Sequence, residues 1–211
     1  IFASLFSNTS IQRVAGLATC VFSIFAKHLY DYYSQVVTRY EGAYTGASHP
    51  LWFGVFSAAT FHLGPKIYRA MEHDLAWGWT AITALGDYHP GQGGHIILWD
   101  LNLVVHFPPG ATILLPRALV RYSFVKIRPD ETRYTLIQFT PAPIINFSIN
   151  GGASDVEFAA NATREMHEAR ELDRLGECDP EFLMGMWTHF NDYEEDTHRI
   201  WRVPPPPPSH L

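Results

Sequence analysis

Cysteine and charge are both scarce in this sequence. Only Cys20 and Cys178 occur among 211 residues, and they lie outside any metal-binding spacing. This pattern excludes a disulfide-stapled scaffold and favours reduced thiols in an intracellular compartment, either cytoplasmic or nuclear. Charged residues make up 17% and hydrophobic residues 47% of the chain, a composition that excludes a wholly disordered protein.

Long hydrophobic runs are also lacking. The longest, residues 14–26, is interrupted by Thr19, Cys20 and Ser23 and is too short to cross a bilayer. We therefore expect a buried helix there and no membrane partner. The chain begins with Ile1 rather than Met, which is typical of a fragment or a processed product.

The net charge of −6 is unevenly distributed along the chain. Residues 155–196 carry 13 acidic and 3 basic side chains, so this flank repels polyanions and disfavours tight, nonspecific nucleic-acid binding. A local basic groove would still leave nucleic acid as a partner, and five basic residues are close enough in sequence to line one: Arg117, Arg121, Lys126, Arg128 and Arg133. The alternative is a solvated strand edge.

Helical periodicity marks both ends of the chain. Apolar spacing over residues 14–40 predicts one long amphipathic helix, or two with a bend. After Gly151 and Gly152, residues 155–175 and 180–193 are expected to form two surface helices with solvated acidic faces. Five consecutive prolines near the end predict an extended polyproline tail.

The middle of the chain has the pattern of short β-strands separated by Gly and Pro corners. This pattern predicts an α+β protein with an antiparallel barrel or sandwich, its strand regions being 51–63, 77–85, 95–107, 111–115, 119–127 and 132–139. His95 and His106 fall within one such run at opposite parity. On a single strand they would face opposite sides.

Several stretches of this region carry a family resemblance. They are residues 58–65 (AATFHLGP), 93–101 (GGHIILWDL), 107–116 (FPPGATILLP) and the Arg133-Tyr134-Thr135 triplet. Their order resembles the Fe(II)/2-oxoglutarate dioxygenase superfamily over residues 15–147. Within it, the chain is most similar to the prolyl-hydroxylase/TET-JBP-like branch expanded in mushroom-forming fungi.

The resemblance implies a fold, and together with the composition of the C-terminal part it predicts a division of the chain. The family fold is a double-stranded β-helix, a jelly-roll barrel with its active site in the open end, here with flanking N- and C-terminal helices. Residues 1–150 would form this dioxygenase-like domain. Residues 151–202 would be an acidic helical appendage, and residues 203–211 a mobile proline-rich tail.

The resemblance also implies an iron(II) site built from two His and one carboxylate. The family takes a His-x-Asp pair from an early strand and a second His from a late strand. Here the early region contains His73 and Asp74, which are adjacent, so both can serve as metal ligands only if a bulge or loop turns them the same way. Tyr122 stands at the position of the late His, and a phenol is a poor ligand for iron(II).

The keto-acid anchor of the family is matched more fully. Arg133 and Thr135 correspond to the Arg and hydroxyl that hold the distal carboxylate of 2-oxoglutarate, and residues two apart on a strand share a face. Together with Tyr122 they are the candidate cofactor-binding residues. Without the surrounding resemblance, an Arg-x-Thr triplet would be a surface cross-strand pair.

Two functional hypotheses follow from these features. The first is an oxygenase that uses Fe(II) and 2-oxoglutarate to hydroxylate an unknown substrate, either a modified nucleobase or a peptide. The alternative is a catalytically inactive pseudoenzyme of the same fold, acting as a binding module or surviving as a mobile-element relic. The sequence indicates neither the substrate nor the oligomeric state.

Overall fold

The computed structural model describes residues 4–5, 7–43, 54–63, 75, 77–177 and 179–189, and within them the protein is α+β. The helices are α1 (Thr9–Phe25), α2 (Lys27–Ala43), α3 (Ala142–Ile149), α4 (Asp155–Asn161), α5 (Arg164–Glu177) and α6 (Pro180–Gly185). The strands are β1 (Ala58–Leu63), β2 (Thr80–Asp87), β3 (Ile96–Leu98), β4 (Leu103–Val105), β5 (Thr112–Leu115), β6 (Tyr122–Phe124) and β7 (Thr132–Phe139). No helix in these ranges is long and apolar enough to cross a bilayer.

The strands form two antiparallel sheets. The larger has the order β1-β7-β2-β5 and the smaller the order β4-β3-β6. Alternate residues of β2 and β7, among them Ile82 and Ile137, pack against Ile96 and Leu98 of β3 and Tyr122 of β6. This inner core lies between the two sheets.

A second core lies on the opposite face of the larger sheet, where the helices pack. Phe22 of α1 has its ring centroid 5.4 Å from that of Tyr33 on α2 and 5.0 Å from that of Phe56. The Tyr33 hydroxyl accepts a hydrogen bond from the Trp79 backbone N–H at 3.1 Å, which ties α2 to the start of β2. Aromatic packing therefore anchors the helices to the sheet.

Two of the predicted helical segments are broken. The N-terminal segment bends at Ala26 (φ −139°, ψ 55°), so the structure has two helices with a bend rather than one long helix. The segment predicted as one helix over 155–175 is divided into α4 and α5 by Ala162, whose backbone is extended. Ser154 begins α4 with a capping box, because its hydroxyl accepts from the Glu157 N–H while the Glu157 carboxylate accepts from the Ser154 N–H.

The run 95–107 is not one strand. It folds back as the hairpin of β3 and β4, and Asn102 makes the reversal with a left-handed backbone (φ 52°). Asp100 holds the turn, because its carboxylate accepts from the backbone N–H of Arg121 at 2.6 Å and from its guanidinium at 2.7 and 2.9 Å. The expectation that His95 and His106 face opposite sides is therefore wrong, since their rings are in contact.

Other predictions fall on residues that the structure does not describe. These are the candidate metal ligands His73 and Asp74, residues 190–202 and the proline-rich tail. They remain predictions from the sequence.

Candidate functional site

The candidate site lies on the inner face of β7. Arg133 is 4% exposed and Thr135 is 2% exposed. Both share a face with Ile137, which belongs to the inner core. The strand alternation of β7 therefore turns the guanidinium and the hydroxyl into the space between the two sheets.

The Arg133 guanidinium rests on aromatic rings. Its central carbon is 3.5 Å from the centroid of Phe124 and 5.9 Å from those of Tyr88 and Phe107. Phe107 and Phe124 are stacked, with an interplanar angle of 9° and centroids 6.2 Å apart. Ring quadrupoles stabilise a cation placed over their faces, and this effect strengthens when water is excluded.

The Tyr88 phenol adds a polar group beside this cation. Its hydroxyl donates to the Phe107 carbonyl and accepts from the Arg133 side chain. Burial raises the pKa of Tyr88 above its ordinary value, while the hydrogen bond and the charge of Arg133 act in the opposite direction. The phenol therefore stays protonated at neutral pH.

Gly86 allows the backbones to approach closely at this end of the sheet. It is the register partner of Arg133 and has φ +111°, a conformation that side chains disfavour. A Cβ at this position would lie 2.4 Å from the Thr132 carbonyl oxygen. Only glycine fits here without displacing the strand that carries Arg133.

Tyr122 reaches the same inner core from the smaller sheet. It is 1% exposed, and its ring makes an edge contact at 5.7 Å with Phe124, the ring on which the Arg133 guanidinium rests. Arg133, Thr135 and Tyr122, the three residues predicted from the sequence to bind a cofactor, thus all lie in the region between the two sheets. Tyr122 packs here as a core aromatic residue.

The described residues do not supply an iron site. Among them there is no group of three or more His, Cys, Asp or Glu side chains able to hold a metal ion. Tyr122, at the position where the resemblance expects a histidine, does not fit iron(II). The candidate ligands His73 and Asp74 lie outside the described residues.

His62 is a site residue that the sequence reasoning missed. It is half-buried on β1 and is the direct cross-strand partner of Thr135 on β7. Directly opposed residues of an antiparallel pair project from the same face, so His62 belongs to the Arg133 face of the sheet. His62 reaches this face only through the pairing of β1 with β7, which joins segments more than seventy residues apart. No local sequence pattern marks that pairing.

The five basic residues of the predicted groove do not share one surface. Arg133 and Arg117 are buried, and the Arg117 guanidinium lies 4.7 Å from the Phe139 ring centroid. Arg121 is paired with Asp100, and Arg128 is paired with Asp130 and Glu131. The structure therefore provides no continuous basic track from this segment.

Comparisons with known proteins give little for this chain. No protein-family model matches it, and no curated protein matches it. Twelve chains of solved structures do match. One is NgTET1 in complex with 5mC DNA, with 14% identity and a TM-score of 0.37 over 50% of this chain and 41% of that chain. This chain thus spans about two fifths of that protein's length, and a likeness this weak assigns no function.

Proposed function

We propose that this chain is an Fe(II)/2-oxoglutarate dioxygenase-like protein, a jelly-roll cup that binds the keto acid at Arg133. A jelly roll is an eight-strand antiparallel ribbon wrapped into two sheets. Its ribbon pairs are the first strand with the eighth, the second with the seventh, the third with the sixth, and the fourth with the fifth. This pattern can be compared with the observed pairing strand by strand.

The observed pairs fit that ribbon with its second strand left out. The pairs β1·β7, β2·β5 and β3·β4 are then its first, third and fourth pairs. The pairs β2·β7 and β3·β6 are those that the wrapping adds within each sheet. All five observed pairs are antiparallel and agree with the ribbon, which supports the jelly-roll assignment.

The burial of Arg133 inside this cup is the observation that carries the proposal. A guanidinium held in a low-dielectric interior attracts a carboxylate much more strongly than one in water. Arg offers paired donors to a carboxylate, and Thr135 adds a hydroxyl from the same face. His62 lies opposite Thr135 on this face of the larger sheet, and the protonated Tyr88 lies beside Arg133. These polar groups suit the binding of a dicarboxylate such as 2-oxoglutarate.

Oxygenase activity requires more than this anchor. Fe(II), where bound, supplies the activation of oxygen, and His73 and Asp74 are the residues proposed to hold it. The substrate would then be a modified nucleobase or a peptide. The residues around Arg133 bind and orient the keto acid and exclude water from its distal end.

The position of Tyr122 favours a second function. Its ring fills the inner core at the place where the resemblance expects a metal-binding histidine. A cup that keeps the keto-acid anchor and fills the iron side with a phenol suits a pseudoenzyme that binds a dicarboxylate without turnover.

Calorimetric titration with 2-oxoglutarate tests the binding site. We expect wild-type protein to bind and the Arg133→Met variant to bind roughly 30- to 150-fold more weakly, because hydrogen bonds to a charged group contribute about 2 to 3 kcal/mol. The matched control is Arg128→Met, which removes an exposed guanidinium and should leave affinity unchanged. Equal binding by wild type and Arg133→Met would refute the anchor.

A turnover assay separates the two functions. Iron-dependent conversion of 2-oxoglutarate to succinate, abolished by His73→Ala, would establish the oxygenase. Binding of 2-oxoglutarate without iron-dependent succinate formation, across nucleobase and peptide substrates, would establish the pseudoenzyme.

A further inference from the structure

The β3–β4 hairpin brings His95 and His106 together on the outside of the smaller sheet. Their ring centroids are 5.3 Å apart with an interplanar angle of 69°. We propose that this pair is a surface site for a divalent transition-metal ion of the zinc, copper and nickel class. The site is separate from the cup around Arg133.

The strand register explains why the two rings meet. Ile96 pairs with Val105, so His95 and His106 are the next opposed positions along the same ladder. Ile96 is buried in the inner core, and strand alternation therefore turns His95 outward. His106 is exposed and His95 is half-buried, so an ion can approach from solvent.

The separation of the rings suits chelation of one ion. Two imidazoles that bind one ion at about 2.0 to 2.1 Å with a tetrahedral angle have ring centroids about 5 Å apart. The observed 5.3 Å is close to that value, so small side-chain rotations suffice. Purely imidazole donors favour zinc, copper and nickel over magnesium and calcium, which prefer oxygen.

The surroundings of the ring nitrogens decide whether this pair can bind an ion. In the part of the chain that the structure describes, neither imidazole makes a hydrogen bond or an ion pair. Hydrogen bonds fix the backbone that carries the two histidines. The His95 carbonyl accepts from the Val125 N–H at 2.9 Å, and β3 pairs with β4. Two ligands on a fixed hairpin lose little conformational entropy on binding. Water, or a group from another molecule, completes the coordination.

Titration of the full chain with zinc chloride at neutral pH, followed by calorimetry, tests the site. We expect wild type to bind about one more equivalent than the His95→Ala/His106→Ala double variant. Each single variant should weaken that binding at least tenfold, since chelation needs both rings. The matched control is His89→Ala, which removes an exposed histidine outside the pair and should leave the zinc isotherm unchanged.

Thermal unfolding provides a second measurement. Zinc should raise the midpoint of wild type and of His89→Ala, but not of the double variant, because binding to the folded state stabilises it. The difference between wild type and the double variant isolates this pair from any other zinc-binding group, including His73. Identical isotherms for the two proteins, or loss of binding in only one of the single variants, would overturn the proposal.

Discussion

At the scale of single residues, the space between the sheets places the Arg133 cation beside the neutral Tyr88 phenol. Arg133 stands on Phe124, and the buried Tyr88 hydroxyl links the guanidinium to the Phe107 carbonyl. Removing water strengthens both the ring contacts and the hydrogen bonds. It also raises the pKa of Tyr88, since ionising a buried phenol is costly.

The raised pKa of Tyr88 predicts how stability changes in alkali. A folded-state pKa above the unfolded value stabilises the fold fully below about pH 10, and this contribution is lost as the pH rises through the folded value. Tyr88→Phe should lower the free energy of unfolding by about 1 kcal/mol at neutral pH, because the bond to Phe107 is lost. It should also flatten the decline above pH 10.

Denaturant titrations from neutral pH to beyond pH 10 measure both effects. The control is Tyr134→Phe on the same strand, where the ring is 41% exposed and the change should stay within about 0.5 kcal/mol. Parallel loss of stability above pH 10 in wild type and Tyr88→Phe would contradict this account.

At the scale of elements, the junction of β2 with β7 depends on Gly86. Gly86→Ala combines a disfavoured positive φ with a clash against the Thr132 backbone, and should destabilise the protein by about 3 kcal/mol. Gly110→Ala is the control, because it also has positive φ (+88°) but meets no atom within 4 Å, and should cost only about 1 kcal/mol. Chemical denaturation of the two variants checks the difference. Equal losses of stability in the two variants would show that the positive φ alone causes the destabilisation and that the clash with Thr132 contributes nothing.

The same junction shows which elements the sequence can predict. β7 occupies the predicted residues 132–139, because its alternating side chains lie between clear turn signals. The same alternation predicts that Arg133 and Thr135 lie on one face of the strand. The hairpin within 95–107 was missed because its turn, Trp99–Leu101, carries no Gly or Pro. That turn depends on Asn102 and on the distant Asp100–Arg121 contact.

Long-range pairing limits prediction of the site as well. His62 joins the Arg133 face only through the register of β1 on β7. The aromatic surroundings of Arg133 come from three separate segments, contributing Tyr88, Phe107 and Phe124. Spacing along the chain contains no information about which of these segments meet.

At the scale of the whole molecule, the larger sheet is shared by two cores. Its inner face packs against the smaller sheet and its outer face against the helices. The C-terminal region takes part in the outer core, because Phe182 on α6 makes an edge contact with Trp77 at 6.3 Å. Trp187 makes a similar contact with Trp79 at 6.2 Å. The end of the described C-terminal region therefore packs against the segment that leads into β2.

This packing predicts that α6 stabilises the whole fold. Phe182→Ala removes a half-buried ring from the outer core and should lower the free energy of unfolding by about 2 kcal/mol, below the range for fully buried phenylalanines. Met184→Ala on the same helix is the control, since that side chain is 55% exposed and should change stability by less than about 0.5 kcal/mol.

Unfolding should be followed by tryptophan fluorescence and by far-ultraviolet circular dichroism. If α6 and the sheets unfold together, both signals shift to the same lower midpoint in Phe182→Ala. A shift in fluorescence alone would mean that α6 detaches while the sheets keep their stability, and the C-terminal region would then be an appendage rather than part of the core.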